Sequence, residues 1–278
     1  MFIFAYYRYQ GLGWLWLLAG AIALCWLFLQ PRWLMMLAAR IWPGALYWVN
    51  WPVTSGPFGM PDKPPKVIAL TIDDGPSSAT ADILSMLDRF GAKATFFSIS
   101  GRVSGYEEVM QRSLTAGHEL GNHLTADEPS IRLTPEAFET DLLAAASVFS
   151  ACIEKSEVEP KPCLRWLRPG MGYYSAAMVK TAQRHGYRLV LGSLWPYDTH
   201  VPSSQFASAF ILSRVKPGDI VVLHDGDRRD GDHSNIGRGQ RTTATLKRIL
   251  PVLHARGYTV TTVSELLSLV EPDAAAYF

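Results

Sequence analysis

Cysteine is scarce in this chain: three in 278 residues cannot make a disulfide framework. Cys25 falls in an apolar run. Cys152 and Cys163 read as free thiols, which could pair only in an exported domain. Net charge is missing too. Twenty-six Lys and Arg against 25 Asp and Glu leave +1, which excludes the basic field that nucleic-acid binding needs. No internal repeat or low-complexity tract is present, which excludes a solenoid or array. The most telling absence is local. From Tyr9 to Pro31 no residue is charged.

A bilayer core needs roughly 20 such residues in a helix. Arg8 and Arg32 bracket the run, and Trp14, Trp16 and Trp26 suit membrane interfaces. No small-x-small site closes it, which argues against a cleaved signal peptide. A buried core helix is the other reading. The next stretch, "WLMMLAARIWPGALYWVNWP", is apolar and tryptophan-rich but interrupted by Arg40 and Pro43-Gly44. It reads as interfacial, or as a second crossing. Residues 1–52 are thus expected to be a membrane anchor spanning at about 9–31. Residues 53–66, rich in Pro and Gly, are expected to be a linker. Flanking charge leaves orientation open: a single span favours a cytoplasmic domain, a hairpin an outer one.

From residue 67 to 270 strands and helices alternate, leaving 271–278 as a tail. "VIALTID", "KATFFSI", "HELGNH", "CLRWLRP", "YRLVLGS", "DIVVLHD" and "YTVTTV" read as strands, each pair separated by a helical pattern. Thr134, Pro135 and Glu136 mark one helix start. This order implies an α/β fold with a parallel sheet and helices outside, either open or closed into a barrel. In both, reactive side chains belong at the carboxyl ends of strands. The polar residues fall there: Asp73-Asp74, His123, Arg168, Asp198 and His224-Asp225.

The stretch "ALTIDDGPSS" sets two adjacent carboxylates at the end of an apolar run. Two such charges are tolerated in water or beside a cation. A metal ion is the economical answer. His123 and Asp127 stand four apart, and Asp74 supplies a third ligand from a neighbouring strand end, leaving positions for water and substrate. Asp73 then remains as general base and His224 as acid, a set suited to hydrolysis of an amide or ester.

At these residues the sequence resembles the polysaccharide deacetylases, the NodB-homology domain of carbohydrate esterase family 4. "TIDDGP", "GHELGNH", "LRPGMG", "WPYD" and "VVLHD" are similar to the five motifs of that family, in order. The resemblance implies a distorted (β/α)₇ barrel and metal-dependent removal of N-acetyl groups from amino-sugar polymers such as peptidoglycan or chitin-like oligomers. By the same likeness Asp73 is the base, Arg168 its partner, Asp198 the residue that orients the acid His224, and Asp74, His123 and Asp127 the metal ligands. Leu223 is expected to wall the acetyl methyl, and the Met171 N–H to face the oxyanion beside Gly170. Trp195 and Tyr197 offer stacking faces to sugar. Zn²⁺ is the expected metal, with Mn²⁺, Co²⁺ and Fe²⁺ as alternatives. An outward-facing domain follows from the polymer substrates.

Two departures from the family pattern stand out. Asp127 replaces a histidine, giving two carboxylates and one imidazole, a harder set than Asp-His-His. Gly170-Met171 replaces Pro-Tyr. The first departure opens a rival reading, a membrane-tethered glycan-binding pseudoenzyme. An aspartyl-nucleophile phosphatase wants Asp-x-Asp, whereas this pair is adjacent. His118 reads as structural, His185 as a last-turn helix residue where a cation suits the dipole, His254 as an exposed or packed helix residue, and His200 and His233 as loop residues near the mouth. The loop 225–241 reads as a groove wall or a solvated loop; it misses the EF-hand pattern.

Overall fold

A computed structural model describes Leu17, Gly20, Gln30 and residues 32–51, 64–226 and 237–270. The rest of the 9–31 run, most of the 53–66 linker, His233 with its loop 227–236, and the 271–278 tail lie outside the described residues. No helix among the described residues is long and apolar enough to cross a membrane.

The chain divides into two compact units, Met1–Pro43 and Gly44–Phe278. In the first, helix α1 (Arg32–Ile41) has no buried residue and leaves Trp33, Met36, Leu37 and Ile41 exposed. In the second, strands and helices alternate: β1 (Ala45–Leu46), β2 (Val67–Gly75), α2 (Thr80–Arg89), β3 (Thr95–Ser98), α3 (Glu107–Thr115), β4 (Glu119–Asn122), α4 (Pro135–Glu154), β5 (Trp166–Leu167), α5 (Ala176–Arg184), β6 (Arg188–Val190), α6 (Ser204–Arg214), β7 (Ile220–His224), α7 (Arg238–Ala255), β8 (Thr259–Thr261) and α8 (Val263–Ser268).

All strand pairs are parallel, in the order β1-β6-β5-β4-β3-β2-β7 with β8 also on β2. The β2 sequence "VIALTIDDG" is buried on both faces, as expected of a strand between packed layers. Ile68, Leu70 and Ile72 join Val221 and Leu223 of β7 in a core with Ile83, Leu84 and Leu87 of α2 and Leu246, Ile249 and Leu250 of α7. Past β6 the chain runs on to Leu194, which bridges Val221 of β7, and the Ser193 and Leu194 N–H groups both donate to Ile220 O. The two ends of the sheet therefore meet, consistent with a distorted deacetylase-type barrel.

Strand β1 corrects the domain boundary. The segment expected to belong to an anchor reaching residue 52 contributes Ala45 and Leu46 to the sheet, paired with Leu189 and Val190. Tyr47 and Val49 are buried. Its apolar residues serve a protein core. Cys152 is buried and Cys163 exposed, and both are unpaired.

Candidate active site

The parallel register of β2 and β7 sets Asp73 opposite His224. Register partners in a parallel pair project to the same face, so these two side chains share the barrel mouth. Asp73 is 3% exposed. Arg168 Nη1 donates to its Oδ1 at 2.5 Å and to Thr71 Oγ1 at 2.7 Å. Arg168 Nε donates to Val190 O at 2.9 Å, and the guanidinium stacks on the Phe97 ring at 4.2 Å. Gly121 makes room for that ring, since a Cβ there would meet it at 2.6 Å. Four strands thus lock one buried ion pair in a single orientation.

His224 Nδ1 lies 3.1 Å from both Asp198 oxygens, and the His224 backbone N–H donates to Asp198 Oδ2 at 2.9 Å. The carboxylate accepts from Nδ1–H, which leaves Nε2 for chemistry. Burial opposes the imidazolium, but Asp198 outweighs it, with help from Asp74 and Asp73; the His224 pKa is pushed up to about 9.

His123 Nδ1 stands 2.6 Å from Arg168 O, a carbonyl that can only accept, so Nδ1 carries a proton. Its Nε2 faces Asp74 Oδ1 at 3.3 Å. Burial lowers the His123 pKa, yet Asp74 and Asp73 reverse the direction and raise it. For Asp74, burial raises the pKa, but His123, His224 and Arg238 together hold it well below the usual carboxylate range.

The two donors Asp74 Oδ1 and His123 Nε2 are spaced as two ligands of one ion would be. The expected third does not join them. The Asp127 carboxylate lies 3.9 Å from Arg102 Nη2, and among the described residues no group of three His, Cys, Asp or Glu side chains is placed to hold a metal ion. The groups nearest Asp74 are cationic. Arg238 Nη1 donates to its Oδ2 at 2.7 Å, and Arg102 Nη1 donates to its backbone carbonyl at 2.5 Å. Arg238 holds one oxygen of the Asp74 carboxylate and Asp127 faces Arg102, so among the described residues the Asp74–His123–Asp127 metal site expected from the sequence is not assembled.

Sequence reasoning missed Arg102 and Arg238. Arg102 stood in a short connection after β3. Arg238 falls within the stretch 225–241 that reads as a loop, whereas α7 begins at Arg238 itself. The signal was "GRG": Gly237 takes a left-handed φ of 78°, and a Cβ on Gly239 would meet Ala79 Cβ at 2.4 Å. Glycine on both sides lets the first turn of α7 press against the β7 end and send Arg238 inward.

The third-motif turn Gly170–Gly172 is shaped by its neighbours. A Cβ on Gly170 would sit 2.0 Å from Glu128 O, and the Gly170 N–H donates to Ser130 Oγ at 2.7 Å. The two departures from the family pattern are therefore coupled, because the chain just past Asp127 lies directly on Gly170. Asp74, Leu124, Met171 and Tyr197 have φ of 66°, 65°, 58° and 58°. All four follow or end strands at this mouth, where such backbone strain concentrates in functional sites.

The expected sugar contacts divide. Met171 is 52% exposed at the turn. The Trp195 ring packs over Gly172, and its Nε1 donates to Gly192 O at 3.1 Å. Tyr197 sets its ring edge-on to Phe210 and packs against the core. Leu223 is wholly buried in that same core, so it has no surface to wall an acetyl group in this conformation. His118 is structural: its Nδ1 accepts from the Ala94 N–H, and burial drops its pKa to about 4. His185 pairs with Glu139 at 2.5 Å.

The sequence profile described as Polysaccharide deacetylase matches residues 61–190. The chain is 37% identical over 206 residues to a peptidoglycan-N-acetylglucosamine deacetylase of Bacillus cereus, covering 73% of this chain and 88% of that protein. It is 30% identical over 203 residues to a chitooligosaccharide deacetylase of Bradyrhizobium sp., covering 72% and 90%. Among solved structures it superposes on the Xyl-CE4 domain of a multidomain xylanase from the hindgut metagenome of Trinervitermes trinervoides, with a TM-score of 0.63, 30% identity, and 73% and 90% of the two chains covered.

Proposed function

Because the chain belongs to the polysaccharide deacetylase family, we propose that it hydrolyses the N-acetyl amide of amino-sugar polymers or oligosaccharides of the peptidoglycan or chitin type. One observation carries this reading: Asp73 and His224 are register partners at one barrel mouth, each held by its own buried partner. A base and an acid side by side suit amide hydrolysis, where water must lose a proton and the amine must gain one.

Asp73 accepts a proton from water while the water oxygen bonds to the acetyl carbon. Arg168 fixes the carboxylate during that step. The Met171 N–H, on the strained turn, donates to the developing oxyanion. His224, oriented by Asp198, gives its Nε2 proton to the amine nitrogen as the C–N bond breaks. The products are a free amine and acetate. Retention of both pairs favours hydrolysis over a non-catalytic glycan-binding role, which needs neither.

The charge-free run from Tyr9 to Pro31 supports a membrane tether for this domain, and polymer substrates favour an outward-facing one.

Acetate release from acetylated chitooligosaccharides and peptidoglycan fragments tests the reaction. Asp73→Asn and His224→Gln should each lower turnover by at least about 100-fold with the melting temperature kept. Undiminished turnover in either variant would remove it from its role. No acetate from any substrate of the panel would overturn the deacetylase reading itself.

A further inference from the structure

Deacetylases of this family are generally metal-dependent, and this site is built around two arginines instead. Arg238 is 3% exposed and Arg102 is 9% exposed. Both reach Asp74, one at its carboxylate and one at its carbonyl. A buried guanidinium is costly unless its charge is matched, and the carboxylates beside these two include Asp74 and Asp127. The surrounding backbone is cut to admit them. A Cβ on Gly226 would lie 1.9 Å from Arg102 Nη1 and 2.1 Å from Asp74 O, so only glycine lets Arg102 in. A Cβ on Gly101 would meet Thr125 O at 2.5 Å, which keeps Arg102 beside the Asp127 turn. At the start of α7 a Cβ on Gly239 would meet Ala79 Cβ at 2.4 Å and Asp225 O at 2.7 Å, so glycine there lets the turn that carries Arg238 pack down. Close backbone approach on three segments thus accompanies the two arginines.

We propose that the Arg102–Arg238 guanidinium pair is the resident cation of this site: it balances Asp74 and Asp127 in place of a divalent ion, and the chain holds no stoichiometric metal there. Asp127 follows from the same account. It is a counter-ion beside the second arginine, and a histidine at that position would set an imidazole against the Arg102 guanidinium. The inference deepens the deacetylase reading and rests on its placement of the site, but not on turnover.

Arg238 has a second reading with the opposite sign. It could be an outer support that orients Asp74 as a metal ligand, and losing such a support lowers metal affinity by about 10–100-fold. As the resident cation, it blocks metal. The test is the full chain titrated with Co²⁺ and Zn²⁺, with bound metal read by elemental analysis and by the visible spectrum of Co²⁺. The wild type should retain no stoichiometric metal after dialysis. Arg238→Met, which keeps the bulk and removes the charge, should bind Co²⁺ at least about 10-fold more tightly. Arg238→Lys should stay with the wild type. One tightly held equivalent in the wild type, or weaker binding in Arg238→Met, overturns the proposal. Should Arg238→Met fail to fold, the wild-type titration still decides. Acetate release is measured in parallel with chelator present. Absent turnover with the expected metal data would sink the deacetylase reading and leave this one standing. Chelator-sensitive turnover with one bound metal would do the reverse.

Discussion

His224 and Asp198 show how one residue's surroundings set a pH range. The imidazolium is held up to about 9 by a carboxylate that contacts Nδ1 and the backbone N–H together. Its ordinary value is about 6.5. The folded pKa is raised, so the stability this pair contributes is complete below about 6.5 and lost as pH rises through about 9. As the acid, His224 should keep turnover up to about pH 9, above which the rate falls. Asp198→Asn keeps the shape and removes the charge. Burial is then opposed only by the charges of Asp74 and Asp73, so the alkaline limb should move well below 9. A pH–rate profile whose limb stays put in Asp198→Asn would mean that another group sets it. The residues of this pair were legible in the sequence because His224 closes a strand and Asp198 follows one. Arg102 and Arg238 were not. An arginine in a short connection or at a helix start has no periodicity to betray it, and the packing that buries it depends on glycines that matter only once the segments meet.

At the scale of elements, the strand pattern from residue 67 onward corresponds closely to β2 through β8, since a buried parallel strand writes a continuous apolar run. Boundaries shift where packing decides. Helix α7 begins at Arg238, one turn earlier than its apolar periodicity suggests, because its first turn packs on the Asp225 segment. The coupling of residues 128–130 to the Gly170 turn was invisible for the same reason: contact between two loops leaves no spacing signal. It carries a prediction. The family's usual residue at this position is proline, and Gly170→Pro restores it. Here the ring would occupy the space of Glu128 O, and the donor to Ser130 Oγ would vanish. The substitution should cost about 2–3 kcal/mol of stability. Denaturant unfolding measures it; an unchanged midpoint would show that the two loops separate freely.

At the scale of the whole molecule, the tryptophan-rich stretch 33–51 looks uniform in sequence and is divided in structure. A membrane interface and a protein core both select apolar side chains, so composition cannot separate them. The structure draws the line at Pro43 and Gly44. Beyond it, Val49 N–H donates to Gly218 O at 2.8 Å, and a Cβ on Gly218 would meet Val49 O at 2.1 Å. Tyr47 OH lies 3.3 Å from Tyr174 OH. A chain cut before Val53 would lose β1 and uncover β6. Removing the buried Tyr47 and Val49 side chains alone forfeits about 3–6 kcal/mol, or roughly 10 °C in melting temperature for a domain of this size. A chain cut before Gly44 keeps all of these contacts and loses the charge-free run. Three lengths therefore separate anchoring from folding. The full chain should stay with membranes through a high-salt wash, because an embedded helix is insensitive to screening. The chain starting at Gly44 should leave them and melt cooperatively. The chain starting at Val53 should leave them and melt roughly 10 °C lower. Release of the full chain by salt would replace an embedded helix with surface adsorption. Equal melting of the two shorter chains would return residues 44–51 to the anchor.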